Sequence, residues 1–403
     1  MVHFIDKLLF PRYTELITSS EASTMIYRPL GRTGLSVSAI GLGCEHLQGK
    51  SPELIESVVL AAIDAGINIF DVFMSEPNVR SHIGAALAKR PDTHVILQGH
   101  IGSVWKNGQY GRGRSLDDCR FFFEDFLTRL GQPSIDIGMI HYVDDDADLD
   151  EILSGPVYAY ARELKERGVI RCIGMSSHNP LVALRAVPYI DVLMFSVNPA
   201  FDCMDDTTDF DGLLIPGTAP ESRGHHGSAR QTLYRACEEA GVAITVMKPY
   251  GAGTLLKAER SPFGVALTPA QCLSYCLDRP AVATVLAGSQ TVEEVAINVA
   301  AVEASGPERD YTAVLSGAAC ANTTGRCMYC NHCLPCPSEI DIAQVNKFLD
   351  MALTGGVTES LRDHYRLMSA NGADCIGCGS CEANCPFQVP VIERMAKAEE
   401  IFA

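Results

Sequence analysis

Short apolar runs alternate with amphipathic segments from about residue 26 to about residue 300. Runs rich in β-branched residues predict eight strands, at residues 37–43, 67–72, 94–100, 135–141, 169–177, 192–198, 243–250 and 283–288. The segments between them repeat apolar positions with a helical period, and the first shows the usual boundary signals in Ser51, Pro52 and Gly66. Eight strand–helix units predict an α/β fold, a (β/α)8 TIM barrel whose chemistry lies at the C-terminal ends of the strands.

The pattern changes on both sides of this region. Residues 1–24 are interpreted as an N-terminal extension, residues 25–305 as the barrel, and residues 306–403 as a linker followed by a second domain. Helical periodicity at residues 340–351 and 359–369 predicts that this second domain is mostly helical. The long connection at residues 201–230, rich in Asp, Gly, Pro and His, is expected to shape the substrate mouth.

Composition limits the classes of partner. A formal net charge of −17 disfavours nucleic acid and anionic membrane, because both need a concentrated basic face. No segment reaches the roughly 18–20 apolar residues of a membrane span. The sixteen cysteines do not suggest disulfides, since those outside the motifs described next are scattered, and a reducing cytoplasm fits best. The acidic run at residues 144–150 is interpreted as a solvated loop, with docking of a basic partner as the alternative.

Two matched cysteine motifs dominate the C-terminal hundred residues. The first is Cys327, Cys330, Cys333 and Cys336 followed by proline, and the second is Cys375, Cys378, Cys381 and Cys385 followed by proline. Three thiolates at every third position hold one [4Fe-4S] cluster, while the fourth cysteine of each run ligates the other cluster. The motifs therefore predict two crossed clusters, one bound by Cys327, Cys330, Cys333 and Cys385, the other by Cys375, Cys378, Cys381 and Cys336. Zinc sites or a disulfide framework are the alternatives.

Several strand ends, taken together, resemble the aldo/keto reductase superfamily. The matching stretches are Tyr27 to Gly34, Gly41 to Gly43, Asn68 to Asp71, Ile135 to His141, Gly174 to His178, Met247 to Pro249, and Gly288-Ser289 with Asn298. With its C-terminal cysteines, the chain is similar to the branch of that superfamily that carries a fused two-cluster ferredoxin-like module. The resemblance implies an oxidoreductase with a catalytic tetrad of Asp, Tyr, Lys and His.

The tetrad is only half present. Asp71 and His141 match its Asp and His, but Glu76 stands at the tyrosine position and His100 at the lysine position. The two replacements are expected to form a proton-donor pair that converges with Asp71 and His141 at the barrel mouth. Tyr110, in the loop after the third strand, is the alternative acid.

Two other interpretations of these residues stay open. In one, Asp71 and His141 are structural and Glu76 is a loop carboxylate bonded to Arg80. In the other, Asp71, Glu76, His100 and His141 hold a single metal ion.

The resemblance also implies a nicotinamide site. The candidate cofactor-binding residues are Ser177, Asn198, Lys248, Gly288, Ser289, Glu294 and Asn298. Glu294 lies near the place of the family's arginine and would repel a 2′-phosphate, although a solvated helix position explains it equally well. NADP(H) is therefore disfavoured, NAD(H) is allowed, loss of nicotinamide binding is an alternative, and a flavin stays open.

These residues favour a cytoplasmic iron–sulfur oxidoreductase that acts on a small carbonyl, alcohol or related organic substrate, with the clusters relaying electrons to or from a redox partner protein. The first alternative is a lyase or isomerase that uses acid/base or metal chemistry with structural clusters. The second is a non-catalytic electron-transfer subunit.

Overall fold

The barrel is closed by eight parallel strands. A computed structural model describes residues 25–202, 228–311, 314, 325, 327, 333–355, 357–385 and 388–403. The barrel strands are β3 (Ile40–Gly43), β4 (Ile69–Val72), β5 (Ile96–Ile101), β8 (Ile135–Ile140), β9 (Ile170–Ser177), β10 (Val192–Ser196), β11 (Ala243–Met247) and β12 (Val282–Gly288), and β12 pairs back onto β3. The prediction of a (β/α)8 barrel is confirmed.

Two short antiparallel hairpins accompany the barrel. Strands β1 (Tyr27–Pro29) and β2 (Ser36–Ser38) pair ahead of β3, so the start of the first predicted strand belongs to this hairpin. Its side chains Leu30, Leu35 and Val37 pack into the same cluster as the inward-facing barrel residues. The second hairpin, β6 (Ser103–Lys106) and β7 (Gln109–Arg112), rises directly after β5 and was not predicted.

Helices surround the strands. They are α1 (Pro52–Asp64), α2 (Pro77–Leu87), α3 (Leu116–Leu130), α4 (Asp146–Ser154), α5 (Pro156–Glu166), α6 (Pro180–Ala186), α7 (Pro199–Asp202), α8 (Ser228–Ala240), α9 (Pro269–Leu277) and α10 (Val292–Glu303). Helix α1 has the predicted cap, since Ser51 accepts from the amide of Leu54 and Gly66 follows with a φ of 85°. The mouth loop was predicted at residues 201–230; its first two residues belong to α7 and its last three to α8, and residues 203–227 lie outside the described residues.

The acidic run at residues 144–150 is mostly the start of a helix rather than a loop, although Asp146 and Asp150 are exposed to solvent as expected. Asp145 caps α4, and Asp146 and Asp150 both bind Arg185. Asp148 binds Arg114, with Nε and Oδ1 2.7 Å apart. Every negative charge named here has a partner within the protein, so the run supplies ion pairs and a helix cap, which its composition alone did not show.

The described elements of the C-terminal part are helical. They are α11 (Ile342–Gly355), α12 (Glu359–Arg366), α13 (Ser380–Ala383) and α14 (Val391–Phe402). Helices α11 and α14 pack together, and the rings of Tyr365 and Phe402 stack with their centroids 4.3 Å apart. Phe201, at the end of α7, belongs to the same apolar cluster, so the C-terminal part packs against the barrel. The predicted domain limits stay predictions.

Among the described residues, no helix combines the length and the apolar character needed to cross a membrane.

Candidate active site

Three side chains at the C-terminal ends of neighbouring barrel strands and one from the hairpin β6–β7 form one continuous chain of hydrogen bonds. The Nε2 atom of His100 lies 2.9 Å from Oδ1 of Asp71. The Nδ1 atoms of His100 and His141 lie 2.8 Å apart. The Nε2 atom of His141 is bonded to the hydroxyl of Tyr110. We call this chain, Asp71 to His100 to His141 to Tyr110, the relay.

Strand periodicity explains why the relay assembles. Successive side chains alternate across a strand, so residues two apart share a face. Ile69 in β4 and Ile96 in β5 face the barrel interior, and this places Asp71, Gln98 and His100 on the same inner face. His141 comes directly after β8, the neighbour of β5, so its ring meets that of His100 over the barrel axis.

Hydrogen-bond partners assign the protons in the relay. The Asp71 carboxylate also accepts from the side-chain amide of Gln98, at 2.6 Å, and so requires a proton on Nε2 of His100. The Nδ1 atom of a neutral His100 is then an acceptor, and it receives the Nδ1 proton of His141. This leaves Nε2 of His141 to accept from the Tyr110 hydroxyl. The arrangement is consistent with two neutral imidazoles.

The side chains of the relay are closely packed and almost inaccessible to solvent. Asp71 and His100 are each 2% exposed, His141 is 5% and Tyr110 is 6%. Burial, followed by the proximity of His100 and of the Arg114 and Arg112 guanidinium groups, holds the pKa of His141 well below its usual value. Phe73 stacks on the His141 ring with centroids 5.8 Å apart. The low pKa keeps His141 neutral, so its Nε2 atom can accept the hydrogen bond of the Tyr110 hydroxyl.

Two parts of this site escaped the sequence analysis. Gln98 is buried between Asp71 and Thr245, whose hydroxyl donates to the Gln98 carbonyl oxygen at 3.2 Å. Side chains alternate along β5, so Gln98 lies on the same inner face as His100. The sequence therefore contained a signal for Gln98. The hairpin that carries Tyr110 also had a signal, because Asn107-Gly108 adopts the positive φ values of a tight hairpin turn.

Glu76 does not join the relay, which corrects the expectation that it would. Its carboxylate accepts from the backbone amides of Asn78 and Val79, at 3.0 and 2.7 Å, and so caps helix α2. The alternative pairing with Arg80 is also not found, because Arg80 donates to the backbone carbonyl oxygens of Met74 and Phe122. A carboxylate just before Pro77 is a strong helix-capping signal, and local capping decided its place.

Replacing Glu76 by glutamine should leave turnover within about threefold of the wild type, because catalytic proton transfer is worth about 10²–10⁴-fold and a cap has no part in it. Glu76→Ala should instead lower the free energy of unfolding by about 0.5–2 kcal/mol, because the first amides of α2 lose their acceptor. Chemical denaturation and steady-state kinetics check both. A hundredfold loss of turnover in Glu76→Gln would restore Glu76 as the acid.

Three of the candidate cofactor residues lie together beside the relay. The Nζ atom of Lys248 is 2.8 Å from Nε2 of His178, and the Ser177 hydroxyl donates to Asp144 at 2.9 Å. Asp144 also binds Nδ1 of His178, and it links Ser177 to Lys248 through that ring. Asn198 donates to the backbone carbonyl of Lys248 at 2.9 Å. The sequence analysis missed Asp144 as the centre of this group.

The remaining candidate residues lie near the start of α10. Asn298 donates to the Ser289 hydroxyl at 3.0 Å and accepts from Tyr250. A Cβ at Gly288 would stand 2.4 Å from the His46 ring, so only glycine allows this close approach. The Glu294 carboxylate accepts a hydrogen bond from the backbone amide of Gln290 at 2.7 Å. It therefore occupies a donor that a bound anion would need.

One lysine near this segment was missed. The Nζ atom of Lys50 donates to the side chain of Gln290 at 2.9 Å. The stretch after β12 lacks basic residues of its own, but Lys50 reaches it from the loop after β3. The nearby charge is therefore mixed, because Lys50 and Glu294 both bind Gln290.

Four cysteines of the predicted second quartet line one cleft in the C-terminal part. Cys336, Cys375, Cys378 and Cys381 all face one cleft, together with Cys333. Cys336 comes from the first motif and three of the others from the second, while Cys333, which the prediction assigns to the other cluster, lines the same cleft, so the crossed ligation stays a prediction. Of the other quartet, Cys330 lies outside the described residues, and Cys327, Cys333 and Cys385 pack against the C-terminal apolar cluster.

The described residues include no group of three or more histidine, cysteine, aspartate or glutamate side chains that could hold a metal ion. The alternative of a single metal ion bound by Asp71, Glu76, His100 and His141 therefore lacks support. A cubane cluster makes a different demand, because each thiolate bonds a different iron at a separate corner. Thiols arranged around a cleft fit that demand, whereas a single ion draws its ligands to one point.

Residues 39–208 match the model of the aldo/keto reductase family. An uncharacterized oxidoreductase of Bacillus subtilis, YqkF, is 26% identical over 293 residues, which cover 69% of this chain and 91% of that protein. A 6-dehydroglucose reductase of Novosphingobium aromaticivorans is 25% identical over 72% of this chain and 95% of its own length. An NADH-specific methylglyoxal reductase of Escherichia coli is 28% identical over a shorter stretch, 37% of this chain and 51% of that protein.

Solved structures show the same fold. The holo form of the aldo-keto reductase AKR11C1 from Bacillus halodurans superposes with a TM-score of 0.58 at 24% identity, over 74% of this chain and 98% of that one. A putative aldo-keto reductase from Pseudomonas aeruginosa gives a TM-score of 0.53 at 22% identity, over 70% of this chain. These structures are covered almost completely, while more than a quarter of this chain is left unmatched.

Proposed function

Since the chain contains an aldo/keto reductase domain and is an oxidoreductase of that type, we propose that it interconverts a small alcohol and its carbonyl compound. Tyr110 exchanges the proton with the substrate oxygen, and two [4Fe-4S] clusters in the C-terminal part carry electrons. The observation that supports this most is the unbroken relay from Asp71 to Tyr110. It supplies acid/base groups although the family's tyrosine and lysine positions hold Glu76 and His100.

The relay moves a proton by a series of short transfers. An alcohol that binds at the Tyr110 hydroxyl gives up its hydroxyl proton as Tyr110 passes its own to Nε2 of His141, and NAD+, when bound, would accept the hydride that leaves the alcohol carbon. The Nδ1 proton of His141 can then move toward His100, whose Nε2 proton is held by Asp71. The positive charge that develops on the imidazoles is stabilised by the buried carboxylate. Carbonyl reduction uses the same path in reverse.

The thiols around the cleft support the proposed clusters. Cys336, Cys375, Cys378 and Cys381 would hold one cluster, and Cys327, Cys330, Cys333 and Cys385 the other. When bound, the two clusters would each store one electron, so a pair matches the two electrons of one alcohol oxidation. Cys378 is exposed, which suits electron exchange with a redox partner protein.

NAD(H) is the nicotinamide that the site accommodates best. The family resemblance implies that the cofactor binds at the ends of β9, β10 and β11. These strand ends carry Ser177, Asn198 and Lys248. Glu294 and Lys50 share the region where a 2′-phosphate would lie, so no concentrated positive charge is offered there. The relative named as NADH-specific is consistent with this choice.

An anaerobic assay tests the proposed function. Methylglyoxal and 6-dehydroglucose, taken from the names of the relatives, are offered to the iron-loaded protein with NADH or with reduced methyl viologen as the electron donor. Formation of the matching alcohol, with reoxidation of the donor, is the expected result. The lyase or isomerase alternative would be favoured by a different result. In that result either compound is converted without net oxidation of the donor, and the rate of conversion does not change when the clusters are lost.

Isothermal titration should show tighter binding of NADH than of NADPH, because a 2′-phosphate needs charge-assisted donors and meets the Glu294 carboxylate instead. Glu294→Arg should narrow the difference by about tenfold or more, by removing a repulsive charge and adding a bidentate donor. Glu293→Arg, at the neighbouring position of α10, is the matched control for charge. Tighter binding of NADPH by the wild type would contradict the assignment.

A further inference from the structure

Two segments of the C-terminal part touch the barrel directly beside the relay. Asn384, which precedes Cys385, accepts a hydrogen bond through its backbone carbonyl from the Tyr142 hydroxyl at 2.9 Å. Pro335 lies against the hairpin that carries Tyr110, since a Cβ placed on Gly111 would stand 3.5 Å from the Pro335 Cδ. Each contact therefore involves a residue adjacent in sequence to a member of the relay.

The backbone of Tyr142 is strained and held from several sides. Its φ of 49° lies in the left-handed region, which is uncommon for a bulky residue. Its amide donates to the Ser176 hydroxyl at 2.7 Å, and its carbonyl accepts from Arg114 at 2.7 Å and from Arg112 at 3.3 Å. Backbone strain of this kind persists only where the surroundings over-determine it, and it is concentrated at functional sites.

The ring of Tyr142 packs against both His141 and His178. Its centroid is 6.3 Å from that of His141 and 5.7 Å from that of His178, both in edge-to-face arrangements. The Arg112 guanidinium lies over the same ring, 5.0 Å from its centroid. A shift of the phenol would therefore change the packing of His141, the central member of the relay.

We propose that Tyr142 is a positioning residue that makes the relay geometry at His141 and Tyr110 depend on the bound clusters of the C-terminal part. The inference rests on the proposed iron–sulfur function. Ligation of a cluster by Cys385 would fix the neighbouring Asn384 carbonyl, and the Tyr142 hydroxyl is bonded to that oxygen. Loss of the cluster loosens this anchor, and the strained turn at Tyr142 relaxes.

The experiment follows the imidazole protons of the relay by NMR in protein labelled with 15N-histidine under anaerobic conditions. Iron-loaded wild type should show slowly exchanging N–H signals from His100 and His141, because both rings are buried. Removal of iron with a chelator should speed that exchange by about tenfold or more. Tyr142→Phe should show the fast exchange even when loaded with iron, and its exchange should change little on iron removal.

Tyr158→Phe is the matched control, because its hydroxyl also donates to a backbone carbonyl, that of Tyr189, at 2.8 Å and far from the site. It should behave as the wild type does. Slow exchange in iron-loaded Tyr142→Phe, or equal exchange rates in wild type with and without iron, would overturn the inference. Iron content is measured on each sample, so a wild type that never holds iron would instead show failure of the proposed function on which the inference depends.

Discussion

Replacing Tyr110 by phenylalanine should lower turnover by about 10²–10⁴-fold, the usual worth of a positioned acid or base. The phenol is the terminal member of the relay, and without it no side chain passes the substrate proton to Nε2 of His141. The ring stays in place, packed edge-on against Phe73 at 5.8 Å, so substrate binding should change little. We therefore expect the loss in kcat rather than in KM.

Tyr158→Phe is again the control for removing a tyrosine hydroxyl, and it should retain wild-type turnover. Iron content and the unfolding midpoint are measured for both variants, to show that Tyr110→Phe keeps its fold and clusters. Full activity of Tyr110→Phe would mean that the proton enters elsewhere. Loss of activity together with loss of iron would mean that the hairpin supports the C-terminal part and that the kinetic loss is indirect.

Replacing Cys336 by serine should remove the cluster held mainly by the distant second motif. Cys336 shares its cleft with Cys375, Cys378 and Cys381, although about forty residues separate it from them in the sequence. Two [4Fe-4S] clusters contain eight iron atoms, so the variant should retain about four. The surviving cluster should be the one that Cys327, Cys330, Cys333 and Cys385 bind.

Comparison of two further variants makes this test specific. Crossed ligation predicts that Cys336→Ser leaves the same residual electron paramagnetic resonance spectrum as Cys381→Ser, and a different one from Cys333→Ser. Cys172→Ala, in the barrel strand β9, controls for loss of a thiol outside the motifs and should keep all of its iron. A match between Cys336→Ser and Cys333→Ser would contradict the crossed assignment.

The pattern of apolar strand runs was enough to predict most of the barrel. The family resemblance and the position of strand ends predicted that Asp71, His100 and His141 converge at the barrel mouth. All eight barrel strands lie within or next to their predicted runs, because buried parallel strands are apolar almost throughout. The apolar pattern is a local property, so a single sequence is enough to determine it.

Glu76 was mispredicted, and two other features of the site were not resolved by the sequence pattern. Glu76 precedes Pro77 at the start of α2, and free amides two and three residues away bind its carboxylate more readily than the distant histidines can. Tyr110 depends on the turn of the hairpin β6–β7, which the strand pattern did not resolve. The contact of Tyr142 with Asn384 joins residues 242 positions apart. No local pattern encodes such a contact.

We expect substrate electrons from the barrel to reach iron–sulfur clusters in the same chain. The most direct measurement is the absorption spectrum of the anaerobically purified protein, with iron and sulfide analysis, before and after addition of NADH. We predict about eight iron atoms per chain and a broad visible absorption that falls when NADH is added. A protein that contains only zinc, or clusters whose absorption NADH leaves unchanged, would contradict the account.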